Sequence, residues 1–140
     1  MAGPSEKEWQ ATLVAALEVF GYVVEHTYPL MTKQGFWRTG STLKGKPDLI
    51  AVRPPRLLAI ECKVRREKPT AEQVAVLSLY SRIPCARAWV LHDADDWTTI
   101  QAWLRRPKLA PAVFGFEPIS SDAECRRVIA DAGRRKPAAR

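Results

Sequence analysis

Two short apolar runs hold the residues best suited to chemistry. Asp48 lies between Gly45-Lys46-Pro47 and Leu49-Ile50-Ala51-Val52, and Glu61 follows Ala59-Ile60 with Cys62 and Lys63 behind it. On a strand, alternate residues share a face, so Glu61 and Lys63 point to the same side. If the runs form an antiparallel hairpin closed symmetrically about Pro54-Pro55, Asp48 falls directly opposite Glu61, with Cβ atoms about 5 Å apart. Carboxylates that close repel, and each raises the other's pKa unless a cation lies between them. Two carboxylates and a nearby backbone carbonyl suit a hard, oxygen-seeking ion such as Mg²⁺, which keeps several waters and favours phosphate substrates. Lys63, held beside it, would orient or deprotonate a water, or neutralise charge developing on a phosphoryl group. Proline fixes φ near −65°, so the Pro-Pro corner is not a type I′ turn, and a bulge there would slip the register and spoil the pairing.

Other elements must bring partners to this pair. Ser5 with Glu8 forms a capping box that opens a helix ending near Phe20 at Gly21. Trp9, Leu13, Ala16, Leu17 and Phe20 make one stripe; Glu6 lies about 40° from its centre and Glu8 about 120°. Glu8 therefore reads as a capping residue, whereas Glu6 either projects toward the core side, where it needs a metal or a basic partner, or frays outward in the first turn. Gln10 flanks the same side, within reach of the site or a nucleic-acid backbone. Tyr22–Thr27 reads as a strand, and His26 at its end either faces the centre or is an ordinary hydrogen-bonding residue. From Pro29 to Lys46 the spacing predicts a long loop in which Lys33, Arg38, Lys44 and Lys46 accompany Phe36 and Trp37. Basic and aromatic residues so mixed suit phosphate contacts and stacking on bases, or else the aromatics tuck onto the core.

After the hairpin comes the basic stretch Arg65-Arg66-Glu67-Lys68. Thr70 and Gln73 form a second capping box for a helix to about Ser81, which starts close enough to Lys63 for Gln73 either to cap or to return to the site. Ala86–Leu91 reads as a strand, and the strand–helix–strand order predicts a parallel crossover and an α/β sheet. His92-Asp93-Ala94-Asp95-Asp96 resembles a metal cluster, but reads better as a strand end and the cap of a helix over about 97–105. The expected organisation is a domain over 1–107, an extension over 108–133 with a short helix on the core, and a basic tail over 134–140.

The composition narrows the partners. At 140 residues and 46% hydrophobic, the chain can bury the core of one domain. Its formal net charge of +7 points to a polyanion. With no apolar run of membrane-spanning length and no signal-like N-terminus, nucleic acid is favoured over a membrane and a cytosolic location is expected. Cys62, Cys85 and Cys125 are widely spaced and lack a CxxC pair, which argues for reduced cysteines and against a disulfide framework or a zinc site.

Taken together, the helix bearing Glu6 and Gln10, the Pro47-Asp48 and Glu61-Cys62-Lys63 motifs, and Thr70-Ala71-Glu72-Gln73 resemble the PD-(D/E)XK nuclease superfamily, most of all its VRR-NUC branch. The similarity covers roughly residues 5 to 105. It implies an α/β fold with a restriction-endonuclease-like core, a central mixed sheet flanked by helices, and phosphodiester hydrolysis dependent on Mg²⁺ or Mn²⁺. Asp48, Glu61, Glu6 and the Cys62 carbonyl would be metal ligands, Lys63 the water-activating or charge-stabilising residue, and Gln73 an auxiliary. Cys62 stands where the family more often has an aliphatic residue, which is tolerable if it points into the core. The expected partner is structured DNA such as flaps, nicks or branched junctions. Arg65, Arg66, Lys68 and the loop cations would contact the backbone. Several related resolvases act as dimers, and symmetric cutting of a four-way junction would need two sites, hence a homodimer. Phe114, Phe116, Trp97 and Trp103 would supply such an interface or simply core. A non-catalytic basic nucleic-acid-binding protein is the alternative of another class.

Overall fold

A computed structural model describes residues 3–26, 29–31, 37–39 and 43–134, the second and third of these segments as backbone only. The first element is α1 (Glu6–Val19), opened by the reciprocal Ser5–Glu8 capping box and closed at Phe20, where Gly21 takes the positive φ of a helix stop. Trp9, Leu13, Val14 and Leu17 form its buried face. The chain then forms β1 (Val23–His26), two three-residue strands β2 (Pro29–Met31) and β3 (Trp37–Thr39), and the hairpin β4 (Leu49–Arg53) and β5 (Arg56–Lys63). α2 (Ala71–Ser81), β6 (Ala86–His92), α3 (Trp97–Arg105), β7 (Val113–Phe114) and α4 (Asp122–Arg134) follow.

Five of the strands make one mixed sheet in the order β1-β4-β5-β6-β7. β1, β4 and β5 run antiparallel in turn, and β6 and β7 continue in parallel to β5. The α2 crossover thus produces the parallel β5–β6 pair that the strand–helix–strand order requires. Helices flank the sheet on both faces, so this is the α/β architecture expected from a restriction-endonuclease-like core. The hairpin register runs from Leu49 opposite Ile60 to Arg53 opposite Arg56, which is the register symmetric about Pro54-Pro55.

Alternation along β5 divides the core in two. Leu58, Ile60 and Cys62 face α1 and α3 together with Leu13, Leu17, Trp89 and Leu91, all without measurable exposure. Ala59 faces the other way, with Leu77 of α2 and Val90. Because β5 is covered on both faces, it reads as a continuous apolar run rather than an alternating one. Trp97 and Trp103 pack into the first core, Trp97 edge-on to Trp9 at 5.9 Å and Trp103 against Phe114 at 4.8 Å, while Phe116 packs on the second. Each fully buried leucine or isoleucine of these cores contributes about 1.5–3 kcal/mol.

Two parts of the chain differ from the sequence expectation. The stretch from Pro29 to Lys46, expected as one long loop, includes an antiparallel ribbon in which Leu30 pairs with Arg38. Paired backbone groups satisfy one another's hydrogen bonds without an apolar stripe, so the pattern carried no strand signal. Lys33 and Phe36 lie outside the described residues, as do Thr27 and the tail over 135–140. The segment after Pro107 contributes β7 to the sheet and α4 against α2. Fully buried Ser78 joins them: its hydroxyl donates to Val74 O at 2.7 Å and accepts from Ile119 N at 2.9 Å. Arg82 adds an ion pair to Asp122 at 3.0 Å. Among the described residues no helix is long and apolar enough to cross a membrane.

Candidate metal centre

Three elements meet at the open end of the β4–β5 hairpin. Asp48 precedes β4, and its Oδ2 accepts the Cys62 N–H at 2.9 Å, which ties the carboxylate across the strand ends next to Glu61. Glu61 shares a strand face with Lys63, whose Nζ lies 3.5 Å from Glu61 Oε2. The first turn of α1 brings Glu6. One carboxylate oxygen each of Glu6, Asp48 and Glu61 lies within 4.8 Å of the others. Helical phase thus separated the two acids of α1 correctly: Glu6 reaches the cluster, and Glu8 closes the cap, its Oε1 accepting Ser5 N–H at 3.2 Å.

The supports of this cluster are backbone and side-chain braces. The indole N–H of Trp9 donates to Leu91 O at 2.9 Å, fastening α1 to β6 one turn below Glu6. Gln73 does both things its position allowed. Its Oε1 accepts the Thr70 N–H at 2.8 Å as a capping residue, and its Nε2 donates to Glu61 Oε2 at 2.8 Å. Gly45 sets the height of Asp48 against α2. It has φ +89°, and a Cβ there would lie 2.5 Å from Glu72 O and 3.0 Å from Gln73 N. Only glycine allows that approach in that conformation. Cys62 is fully buried in the α1-side core, as expected. Its amide meets Asp48, and in a strand the carbonyl of the same residue faces the same edge.

The electrostatics are those of crowded, largely buried acids. Burial, followed by the charge of Asp48, pushes the Glu61 carboxyl up to about 9, against which Lys63 acts only in part. Asp48 is also raised, chiefly by burial, with the Cys62 N–H bond pulling the other way. Glu6 is raised by burial and then by Asp48. Glu61 is 1% exposed, and its Oε1 is buried without a hydrogen-bond partner among the described residues. A buried oxygen left unpaired costs about 1–3 kcal/mol, more if charged. A hard divalent ion fits this donor set, which is three carboxylates and no soft ligand.

Around the acids, the predicted basic residues are spread over several surfaces. Arg65 and Arg66 follow Lys63 after Val64, with φ of 55° and 69°. Glu67 N donates to Val64 O at 3.0 Å, which closes a turn with positive φ at both central positions, the pattern of a type I′ turn. Two consecutive non-glycine residues in this region cost about 1–2 kcal/mol each. His92 Nε2 braces the turn through Glu67 O at 2.6 Å. Arg66 and Lys68, with Phe116 and His92, line a hollow of about 590 Å³ beside it. Lys44 is exposed, and Lys46 pairs with Glu25 at 3.3 Å. Gln10 lines a groove beside α1 with His26, which is not among the clustered groups. Arg38 lies in β3 with its side chain outside the description. The acids from Asp93 to Asp96 act locally: Asp95 Oδ2 accepts His92 N–H at 2.7 Å and Asp96 Oδ2 accepts the Thr99 hydroxyl at 2.5 Å.

The strained turn and the Gly45 contact were not found by sequence reasoning. A glycine three residues before Asp48 was the one available signal; consecutive arginines carry none for a left-handed turn. No protein-family model, curated protein or solved structure matches the chain.

Proposed function

We propose that the chain is a metal-dependent endonuclease that hydrolyses phosphodiester bonds in DNA, with structured DNA as its preferred substrate. The reading is carried by one observation: carboxylates from α1, the Asp48 segment and β5 converge within 4.8 Å, with Lys63 beside the most buried of them. The sequence resemblance to PD-(D/E)XK nucleases points the same way. Glu6, Asp48, Glu61 and the Cys62 carbonyl would hold Mg²⁺ or Mn²⁺, which when bound supplies Lewis acidity and lowers the pKa of water.

The chain's own groups do the rest. Lys63 places positive charge where negative charge develops on the transferred phosphoryl oxygens, in a site dry enough to strengthen it. Gln73 and the Cys62 amide hold Glu61 and Asp48 in place, so little reorganisation accompanies reaction. The exposed turn at Arg65-Arg66, which follows Lys63 after one residue, would offer two permanently charged guanidinium groups to the phosphates flanking the scissile bond.

The test is incubation with Mg²⁺ or Mn²⁺ and linear duplex, single-stranded, nicked, flapped and four-way-junction DNA. Wild type and Asp48→Ala, Glu61→Ala and Lys63→Ala variants are compared. Cutting by wild type that all three substitutions abolish is expected. Cutting that survives all three would sink the site, and binding without cutting in either metal would favour a non-catalytic DNA-binding role.

A further inference from the structure

The closed end of the same hairpin holds a second charged feature. A hollow of about 560 Å³ is lined there by Arg53, Arg56, Arg105, Arg106 and Lys108, with Pro54, Pro55, Pro107 and Leu109 as its apolar walls. No acidic side chain lines it among the described residues, and none of the five cations is in a recorded ion pair. It therefore holds five of the 22 lysines and arginines in one concavity. Along β5 it begins at Arg56, five residues before Glu61, roughly 17 Å from the acids.

Local structure accounts for two of the five. Arg53 donates to Phe20 O at 2.8 Å and stacks over the Tyr22 ring at 4.9 Å. Arg105 lies over the Phe20 ring in the last turn of α3, where the helix dipole favours a cation. Among the described residues nothing similar holds Arg56, Arg106 or Lys108; the last two are exposed. The Tyr22 hydroxyl, close enough to Arg53 and Arg56 to feel both charges, is buried and has no hydrogen-bond partner among the described residues. Like charges gathered around a concavity repel, and guanidinium groups cannot relieve this by losing a proton. An anion can.

We propose that this corner is a phosphate-binding site, separate from the acid cluster and independent of the nuclease reading. Four guanidinium forks favour a multiply charged oxyanion held through paired hydrogen bonds over a single carboxylate. The apolar walls, with Leu109 70% exposed, suit the sugar and base that accompany such a phosphate. The phosphate comes from a nucleic-acid strand or from a free nucleotide.

The experiment is calorimetry in EDTA with inorganic pyrophosphate, ATP and a 20-nucleotide DNA strand. It compares the full chain with Arg56→Ser/Arg106→Ser/Lys108→Ser and Arg106→Ser/Lys108→Ser. Without metal the assay is blind to cleavage, so its outcome does not depend on the nuclease reading. The triple variant is expected to lose at least tenfold in affinity. Its slope of log affinity against log salt should be shallower by about two for single strands, and the double variant's by about 1.4. Loss of the DNA signal alone assigns the site to a strand, and loss of the pyrophosphate and ATP signals too assigns it to free phosphates. Equal affinities in wild type and both variants, or no saturable binding of any probe to wild type, overturn the proposal. Thermal melts in low salt guard against misfolding: the folded variants should melt at or above wild type, since repulsion is relieved.

Discussion

At the open end of the β4–β5 hairpin three carboxylates crowd within 4.8 Å, the innermost 1% exposed; at its closed end five cations ring a hollow of about 560 Å³ that solvent reaches. Both ends gather like charge, but they can relieve it differently. A buried carboxyl takes up a proton, so the Glu61 carboxyl is pushed up to about 9. A guanidinium keeps its charge, and exposure with mobile counterions is its relief. The acid end should therefore answer to pH and divalent metal, and the basic end to ionic strength and phosphate.

The largest effects should come from breaking the acid end. In Mg²⁺ or Mn²⁺, Asp48→Ala and Glu61→Ala should each lower the initial cutting rate by about 10³-fold or more, and Lys63→Ala by about 10²-fold. Rates within tenfold of wild type would remove the acid end from the chemistry. Next is Gly45→Ala, which forces a side chain into positive φ and against Glu72 O. Denaturant titration should show a loss of about 2 kcal/mol or more, accompanied by slower cutting as Asp48 is displaced.

The pH response sharpens the contrast further. The folded-state pKa of Glu61 is raised above its ordinary 4.5, so the folded chain retains a proton that the unfolded chain releases. Metal-free stability is then greatest below about pH 4.5 as far as this group is concerned, and is lost as pH rises toward about 9. Chemical denaturation across pH 5–9 measures it. Glu61→Gln, which carries no titrating proton, should flatten the slope and melt higher than wild type at pH 9 while failing to cut. An unchanged slope would show that Glu61 is not the proton's holder.

The smaller effects separate neighbours within one element. Glu8→Ala should cost about 1 kcal/mol of stability through the lost cap and leave the cutting rate alone, whereas Glu6→Gln should lower the rate with little effect on melting. Equal rate losses in both would contradict the division of labour between them. Arg66→Gly should raise stability by about 1 kcal/mol by removing left-handed strain and weaken DNA binding less than tenfold. Loss of stability there would mean that the turn's conformation is favourable as built.

Much of this architecture could be read from local rules. The Ser5 and Thr70 capping boxes, the stop at Gly21 and the hairpin register depend on neighbours in sequence, and all four stand in the structure. So does the choice of Glu6 over Glu8, because helical phase is fixed within one turn. Less legible were the β2–β3 ribbon and β7, whose three- and two-residue strands are too short to show a period.

What sequence alone determined is the set of local geometries and charged groups: which side each acid faces and where each helix begins. Only the tertiary structure decided that Gln73 spans cap and carboxylate, that Gly45 seats against α2, and that the arginines of the hairpin corner meet those at the end of α3. The physical reason is range. Capping and strand alternation act over a few bonds, whereas the pKa of Glu61 and the charge of the corner depend on burial and on side chains from distant parts of the chain, which meet only when the sheet and helices pack.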